Sequence, residues 1–159
     1  MAKKDGSVAE KVISKNRRAF HEFNIEDRLE AGVALVGSEV KSCRHGSVSL
    51  QDAYVQVQNG EAFLVNSHIS EYGPANRFNH SPTRLRKLLL HRREIDKLEV
   101  RLRQQGQSAV PIALFFKNGR VKVDVGIGKG KTFVDRRDVV REREMKREVD
   151  RAMRRRRRR

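Results

Sequence analysis

Two Asn-Gly dipeptides, Asn59-Gly60 and Asn118-Gly119, do most to limit the folds open to this chain. Each stands between runs of strand character: Ala53–Gln58 and Glu61–Ser67 around the first, Ala109–Phe116 and Arg120–Ile127 around the second. Asn-Gly accepts the two consecutive positive φ angles of a type I′ turn, whose twist matches that of paired strands. The sequence therefore predicts two antiparallel hairpins. In the second, Val121, Val123, Val125 and Ile127 share one face, and Arg120, Lys122 and Asp124 share the other. That alternation marks a sheet with one dry side and one wet side.

Further strands are expected upstream. Phe20–Glu26 would set His21, Phe23 and Ile25 on one face, and Leu29–Val36 would set Leu29, Ala31, Val33 and Leu35 on one face with Glu30 opposite. Ser38 is placed to cap a short helix, Glu39–Arg44, closed by Gly46. Ser70–Ser81 reads as a loop, and Ser81-Pro82 as the start of a helical region running to about Gln104. Leu85, Leu88, Leu89, Ile95, Leu98 and Leu102 form its apolar stripe, with a change of phase near His91. Residues 1–16 read as a flexible arm, transiently helical from Ala9 to Ser14. The body, residues 17–128, is then mainly β with flanking helices. An OB-type small β-barrel fits that order of elements, and a split sheet with flanking helices is the alternative.

Beyond Gly128 the composition changes. Residues 129–159 hold 15 Lys or Arg against 6 Asp or Glu, +9 of the chain's +16, and end in the run Arg154–Arg159. Met145, Val149, Ala152 and Met153 fall at helical spacing, and Asp135 or Asp138 is placed to cap or charge a first turn. Such a helix has no core of its own to dock on, so the tail is expected to be disordered when free and helical when bound, with a solvated basic tail as the alternative. The charge points to a polyanion, because cations set beside phosphates release condensed counterions. Gly126, Gly128 and Gly130 read as a flexible exit from the last strand.

Several chemistries are excluded by what is missing. The five histidines make no HxxxH, there is no CxxC and no GxSxG, and Gly130-Lys131-Thr132 lacks the earlier glycine of a phosphate-binding loop, Val125 standing there. No catalytic, metal or cofactor site is expected. Cys43, the single cysteine, fits a reducing cytosol. Met1–Asp5 has no apolar stretch of a secretory signal, and no apolar run reaches about 18 residues, so a cytoplasmic protein without membrane contact is expected. Glu30, an acid on the polar face of a basic protein, either pairs with a Lys or Arg or accepts a base amino group.

Taken in order, several blocks resemble the SmpB family of SsrA-binding proteins. They are Asn16–Phe23, Glu30–Leu35, Gly37–Ser42, Asp52–Val55, Gly60–Leu64, Pro82–Leu90, Lys117–Gly119 and Gly126–Lys131. The resemblance covers roughly residues 16–150. It implies an OB-type barrel that binds the tRNA-like domain of tmRNA, with family binding positions matching Glu30, Leu89 and Lys122, and with Lys129 and Lys131 beside them. On periodicity alone Leu89 is a core leucine. The family's Asp-Lys-Arg tail motif reads Asp135-Arg136-Arg137 here, an exchange that keeps charge and changes geometry. With Met153 it implies a tail that acts on the ribosome, and His21 is implied as a decoding-site contact. Val134 stands where many relatives carry a polar or aromatic residue.

The partners implied are tmRNA, the small-subunit decoding site and mRNA channel of a stalled ribosome, and, through tmRNA, elongation factor Tu and alanyl-tRNA synthetase. The process is ribosome rescue by trans-translation, without catalysis by the protein. A permanent ribosomal component and an RNA-processing enzyme are the rival readings of the same charge.

Overall fold

The computed structural model describes residues 10–157, with the side chains of 133, 134 and 155–157 outside that description. Residues 1–9 of the expected arm, and Arg158 and Arg159 of the arginine run, fall outside it, as do the side chains of Val134 and Arg155 to Arg157. Among the described residues, nine strands and four α-helices are laid out as β1 (Lys11–Lys15), α1 (Arg17–Glu22), β2 (Phe23–Val33), α2 (Gly37–Arg44), β3 (Val48–Ser49), β4 (Tyr54–Gln58), β5 (Glu61–Val65), β6 (His68–Ile69), β7 (Arg86–Leu89), α3 (Arg92–Arg103), β8 (Gln107–Lys117), β9 (Arg120–Gly130) and α4 (Phe133–Arg157). Seven strands form one antiparallel sheet in the order β1-β8-β9-β2-β7-β5-β4, while β3 and β6 pair separately. The sheet curls until β4 approaches β8, so it is a partly open barrel.

Both predicted hairpins are present, β4–β5 and β8–β9, turning at Asn59-Gly60 and Asn118-Gly119 with all four φ values positive. The dry face is the predicted one. Val121, Val123, Val125 and Ile127 are buried with Ala31, Val55, Leu64, Leu88, Leu98 and Leu114.

Several local expectations are corrected. Within the expected arm, Lys11–Lys15 is edge strand β1 on β8, not a transient helix. Asn16 beyond it is buried, its side chain donating to the carbonyls of Leu50 and Pro111 and accepting from the Ala19 N–H. Pro111 sits at a bulge in β8, where a strand tolerates the missing N–H. His21 belongs to helix α1, because Asn16 caps the six residues that follow it. The region Ser81–Gln104 is not one helical run. Arg86–Leu89 is strand β7, filling the gap between β2 and β5, and helix begins only after His91. Alternation decides this segment: Arg86 and Leu88 point in, Lys87 and Leu89 point out.

Gly126 and Gly128 of β9 mark close approaches of neighbouring atoms rather than a flexible exit. A Cβ on Gly128 would lie 1.9 Å from the Asn24 carbonyl oxygen, where β2 bulges between Ile25 and Asp27. Gly130 has open space at the same point. Gly128→Ala is therefore expected to cost at least the ~1–3 kcal/mol of stability of an overpacked core, read as a lower denaturation midpoint. Gly130→Ala should leave it nearly unchanged, and equal midpoints for the two variants would refute this reading.

A buried ion cluster ties α2 to β7. Glu39 and Arg86 are both 0% exposed, Arg86 Nη2 lies 2.9 Å from Glu39 Oε1, and Arg84 donates its Nε to the same oxygen at 2.7 Å. Glu39 also accepts from the Val36 N–H, which caps α2 in place of the expected Ser38. Arg86 spends its remaining donors on Ser67, Pro82 and the Arg84 carbonyl. Burial alone would raise the Glu39 carboxyl. Hydrogen bonds from Arg84 and Val36, with the charges of Arg86 and Arg84, hold it below the usual carboxylate value. Burial also pushes the Cys43 thiol up to about 11, so it stays protonated and inert.

Candidate nucleic-acid interface

The wet face of the sheet gathers residues that are far apart in sequence. In the register, Gly32 of β2 stands opposite Leu89 of β7 on one side and Lys122 of β9 on the other. Glu30, two residues back on the same face, reaches Lys122 at 3.1 Å and Lys117 at 2.8 Å. Glu30, Leu89 and Lys122 thus converge on one patch.

Each side chain there has a distinct electrostatic or steric state. The hydrogen bond from Lys117, joined by Lys122, holds the Glu30 carboxyl below its ordinary value against a smaller effect of burial. Lys117 is raised by its bonds to Glu30 and Glu10. Two ammonium groups share Glu30 and keep spare N–H donors for a phosphate. Leu89 is 55% exposed, so it is a surface leucine and not the core residue that periodicity implies. Gly32 has no side chain to fill the space between Leu89 and Lys122, and a Cβ there would press Leu89 at 3.2 Å. The result is a shallow cleft of about 330 Å³ lined by Gly32, Leu35, Val40, Leu89, Gly119 and Lys122. It combines an apolar wall with paired cations, the make-up that seats a nucleotide base beside its phosphate.

A second group sits at the other end of β9. Lys129 and Lys131 belong here and not with Lys122, which lies seven residues back along the strand from Lys129, roughly 23 Å. The Lys131 N–H donates to the Glu22 carbonyl at 2.7 Å and its Nζ to the Phe20 carbonyl at 2.9 Å, stapling the start of the tail to α1. His21, Arg136, Arg137, Val140 and Arg141 line a notch of about 370 Å³ between α1 and α4. Asp135 accepts from the Thr132 hydroxyl at 2.7 Å and its N–H at 3.1 Å, closing the first turn of α4 and holding its carboxyl low. Phe133–Arg157 is helical in the chain alone, without a bound partner.

From Phe133 to Arg157 the helix is 25 residues, about 37 Å long. It carries Met145, Val149 and Met153 exposed along one stripe. Met153 lies about 27 Å from Asp135, so the tail residues form a line and not a cluster.

Lys117 was missed by the sequence reading. Its signal was parity: Lys117 pairs with Arg120 across the hairpin, so it shares the wet face with Lys122. Glu39 and Arg86 leave no comparable signal, because charged residues look solvent-exposed until the fold buries them, and Arg84 joins them only half-buried. Among the described residues no group of His, Cys, Asp and Glu could hold a metal ion. Among the described residues, too, no helix is long and apolar enough to cross a membrane.

A curled β-domain with a cationic, leucine-edged cleft, and a long basic helix stapled to its opposite end, has the make-up of an RNA-binding protein. The comparisons make this specific. The chain matches the SmpB protein family over residues 13–155. It is 50% identical over 155 residues to the SsrA-binding protein of Thermobifida fusca (strain YX), covering 98% of this chain and 97% of that one. The SsrA-binding protein of Myxococcus xanthus (strain DK1622) is 51% identical over 146 residues, 92% of this chain and 90% of that one. A solved structure described as "tmRNA-SmpB: a journey to the center of the bacterial ribosome" contains a chain 37% identical to this one. That likeness has a TM-score of 0.66 and covers 80% of this chain and 94% of that one. The chain belongs to the SmpB family.

Proposed function

We propose that the protein binds the tRNA-like domain of tmRNA through the Glu30–Leu89–Lys122 face and delivers it to stalled ribosomes, where the tail probes the empty mRNA channel. The convergence of those three residues around Gly32 carries this reading. Lys122 and Lys117 supply donors for the RNA backbone, Leu89 an apolar contact, and Glu30 holds the two lysines in place. The body, 17–128, and the tail, 129–159, act as two parts. The body stands where tmRNA lacks an anticodon arm, and the tail meets channel phosphates only when no message fills the channel.

His21 with Arg136 and Arg137 forms the group that faces the decoding site, and Met153 belongs to the distal contact of the helix. Lys129 and Lys131 act in this reading at the junction of the two parts. Elongation factor Tu and alanyl-tRNA synthetase meet the protein only through tmRNA. The protein works in the cytoplasm by binding, not by catalysis.

The test is binding at ~0.15 M salt, where non-specific affinity is weak, to the tRNA-like domain, an alanine tRNA and an RNA duplex. The tRNA-like domain should be preferred. Glu30→Ala and Lys122→Ala should each weaken it by about tenfold, the worth of a hydrogen bond to a charged group. Lys122→Ala should also reduce the salt slope by about one. Equal affinity for all three RNAs would sink the proposal.

A further inference from the structure

A second aromatic and cationic surface lies on the loop that follows β6, and the cleft described above does not use it. Phe78 is 77% exposed, and the Arg77 guanidinium sits 5.1 Å from its ring centre. On the same loop the Tyr72 ring stacks on His45 of the α2 C-terminus, with centroids 5.9 Å apart and planes 16° from parallel. Lys41 Nζ lies 5.3 Å from the Tyr72 centroid. Lys41, Arg44, His45 and Arg77 make no ion pair with any acid among the described residues. Glu71, exposed, is the acid of this loop.

The loop is built to hold its shape. Tyr72 N–H donates to Asn79 Oδ1 and Asn79 Nδ2 donates to the Tyr72 carbonyl, both at 2.8 Å, so its base is clasped shut. Next in sequence, buried His80 donates from Nε2 to the Ile69 carbonyl and bonds Ser38 of α2 through Nδ1, each at 2.9 Å. Between these anchors Asn76 is held at φ 51° and ψ −124°, the first-central-residue geometry of a type II′ turn, which a residue with a side chain adopts less readily than glycine. A clasped loop that presents a solvent-facing phenylalanine beside Arg77, and Tyr72 beside Lys41 and His45, is a binding surface. The cations select a polyanion and the rings select bases, and a base is free to stack on a side chain only where it is unpaired.

We propose that Phe78, with Arg77, Lys41 and the His45–Tyr72 stack, forms a second RNA site that takes a few unpaired nucleotides by base stacking. It rests on the reading of this chain as an RNA-binding protein and adds a contact that the Glu30–Leu89–Lys122 face does not make. The occupant is single-stranded RNA, either within tmRNA or on the ribosome.

The chain has no tryptophan, so Phe78→Trp in the full-length protein places a single indole at the site. A single-stranded RNA of about 12 nucleotides should quench that indole, while a duplex of equal length should not. Phe78→Ala should bind the same single strand about tenfold more weakly, with Phe78→Tyr close to the wild type and unfolding unchanged in both. Quenching by the tRNA-like domain alone places the nucleotides within tmRNA, and quenching only on the ribosome places them there. An indole indifferent to single strands, or quenched equally by duplex, overturns the site and leaves a protein partner as the reason for the exposed ring. The Glu30→Ala variant separates the two readings: it weakens binding to the tRNA-like domain about tenfold and leaves the Phe78→Trp quench by single strands intact.

Discussion

Replacing Glu39 with alanine lowers the melting temperature by about 10–20 °C, because it strands the buried Arg86 guanidinium in the core. Removing one partner of a buried ion pair costs about 3–5 kcal/mol, far more than the pair contributes over an apolar substitute. Arg86 keeps its bonds to Ser67 and Pro82 but loses its counter-charge, and Arg84 loses its bonds to both carboxylate oxygens. The wild type shows the same dependence through pH. The folded-state carboxyl titrates below the 4.5 of the unfolded chain. Its stabilisation is therefore complete above pH 4.5 and is lost as the pH falls through the lower, folded value. Thermal melts of wild type and Glu39→Ala between pH 3 and 7 test both statements; curves that stay parallel down to the lowest pH would remove Glu39 from the account.

Ending the chain at Gly130 separates binding from rescue. The truncated protein is expected to bind the tRNA-like domain of tmRNA with a shallower salt dependence, since residues 131–159 carry +8 of the +16. Tagging of incomplete proteins on stalled ribosomes should fall to background. The Lys131 staples to Phe20 and Glu22 go with the tail, so His21 loses its neighbours on α4 as well. Loss of both activities together would mean that the cleft and the tail are not separate parts. Retained tagging would mean that α4 is dispensable.

The hairpins were legible because their signal is local. Asn59-Gly60 and Asn118-Gly119 set the turn, and alternation set which valines face the core. The segment Ser81–Gln104 misled for a local reason too: a run of leucines beside arginines after Ser-Pro satisfies a helical stripe and a strand equally. What selects strand for Arg86–Leu89 is the vacancy between β2 and β5, together with an acid, Glu39, that meets an inward-pointing arginine. His21 was assigned to a strand because alternation continues into Phe23 and Ile25. The Asn16 cap, itself anchored to the Pro111 bulge of β8, starts a helix there instead.

The sequence by itself determined the two hairpins, the dry and wet faces of the last one, the basic tail and its helical spacing, since each depends on residues a few positions apart. The tertiary structure alone decided the rest. Register across β7, β2 and β9 brings Leu89, Gly32 and Lys122 into line, and sheet parity delivers Lys117 to Glu30. It also exposes Leu89, buries Glu39 with Arg86, and denies Gly128 a side chain where β2 bulges against it. These features depend on strands that are neighbours in space and distant in the chain, so no window of sequence contains the contact that defines them.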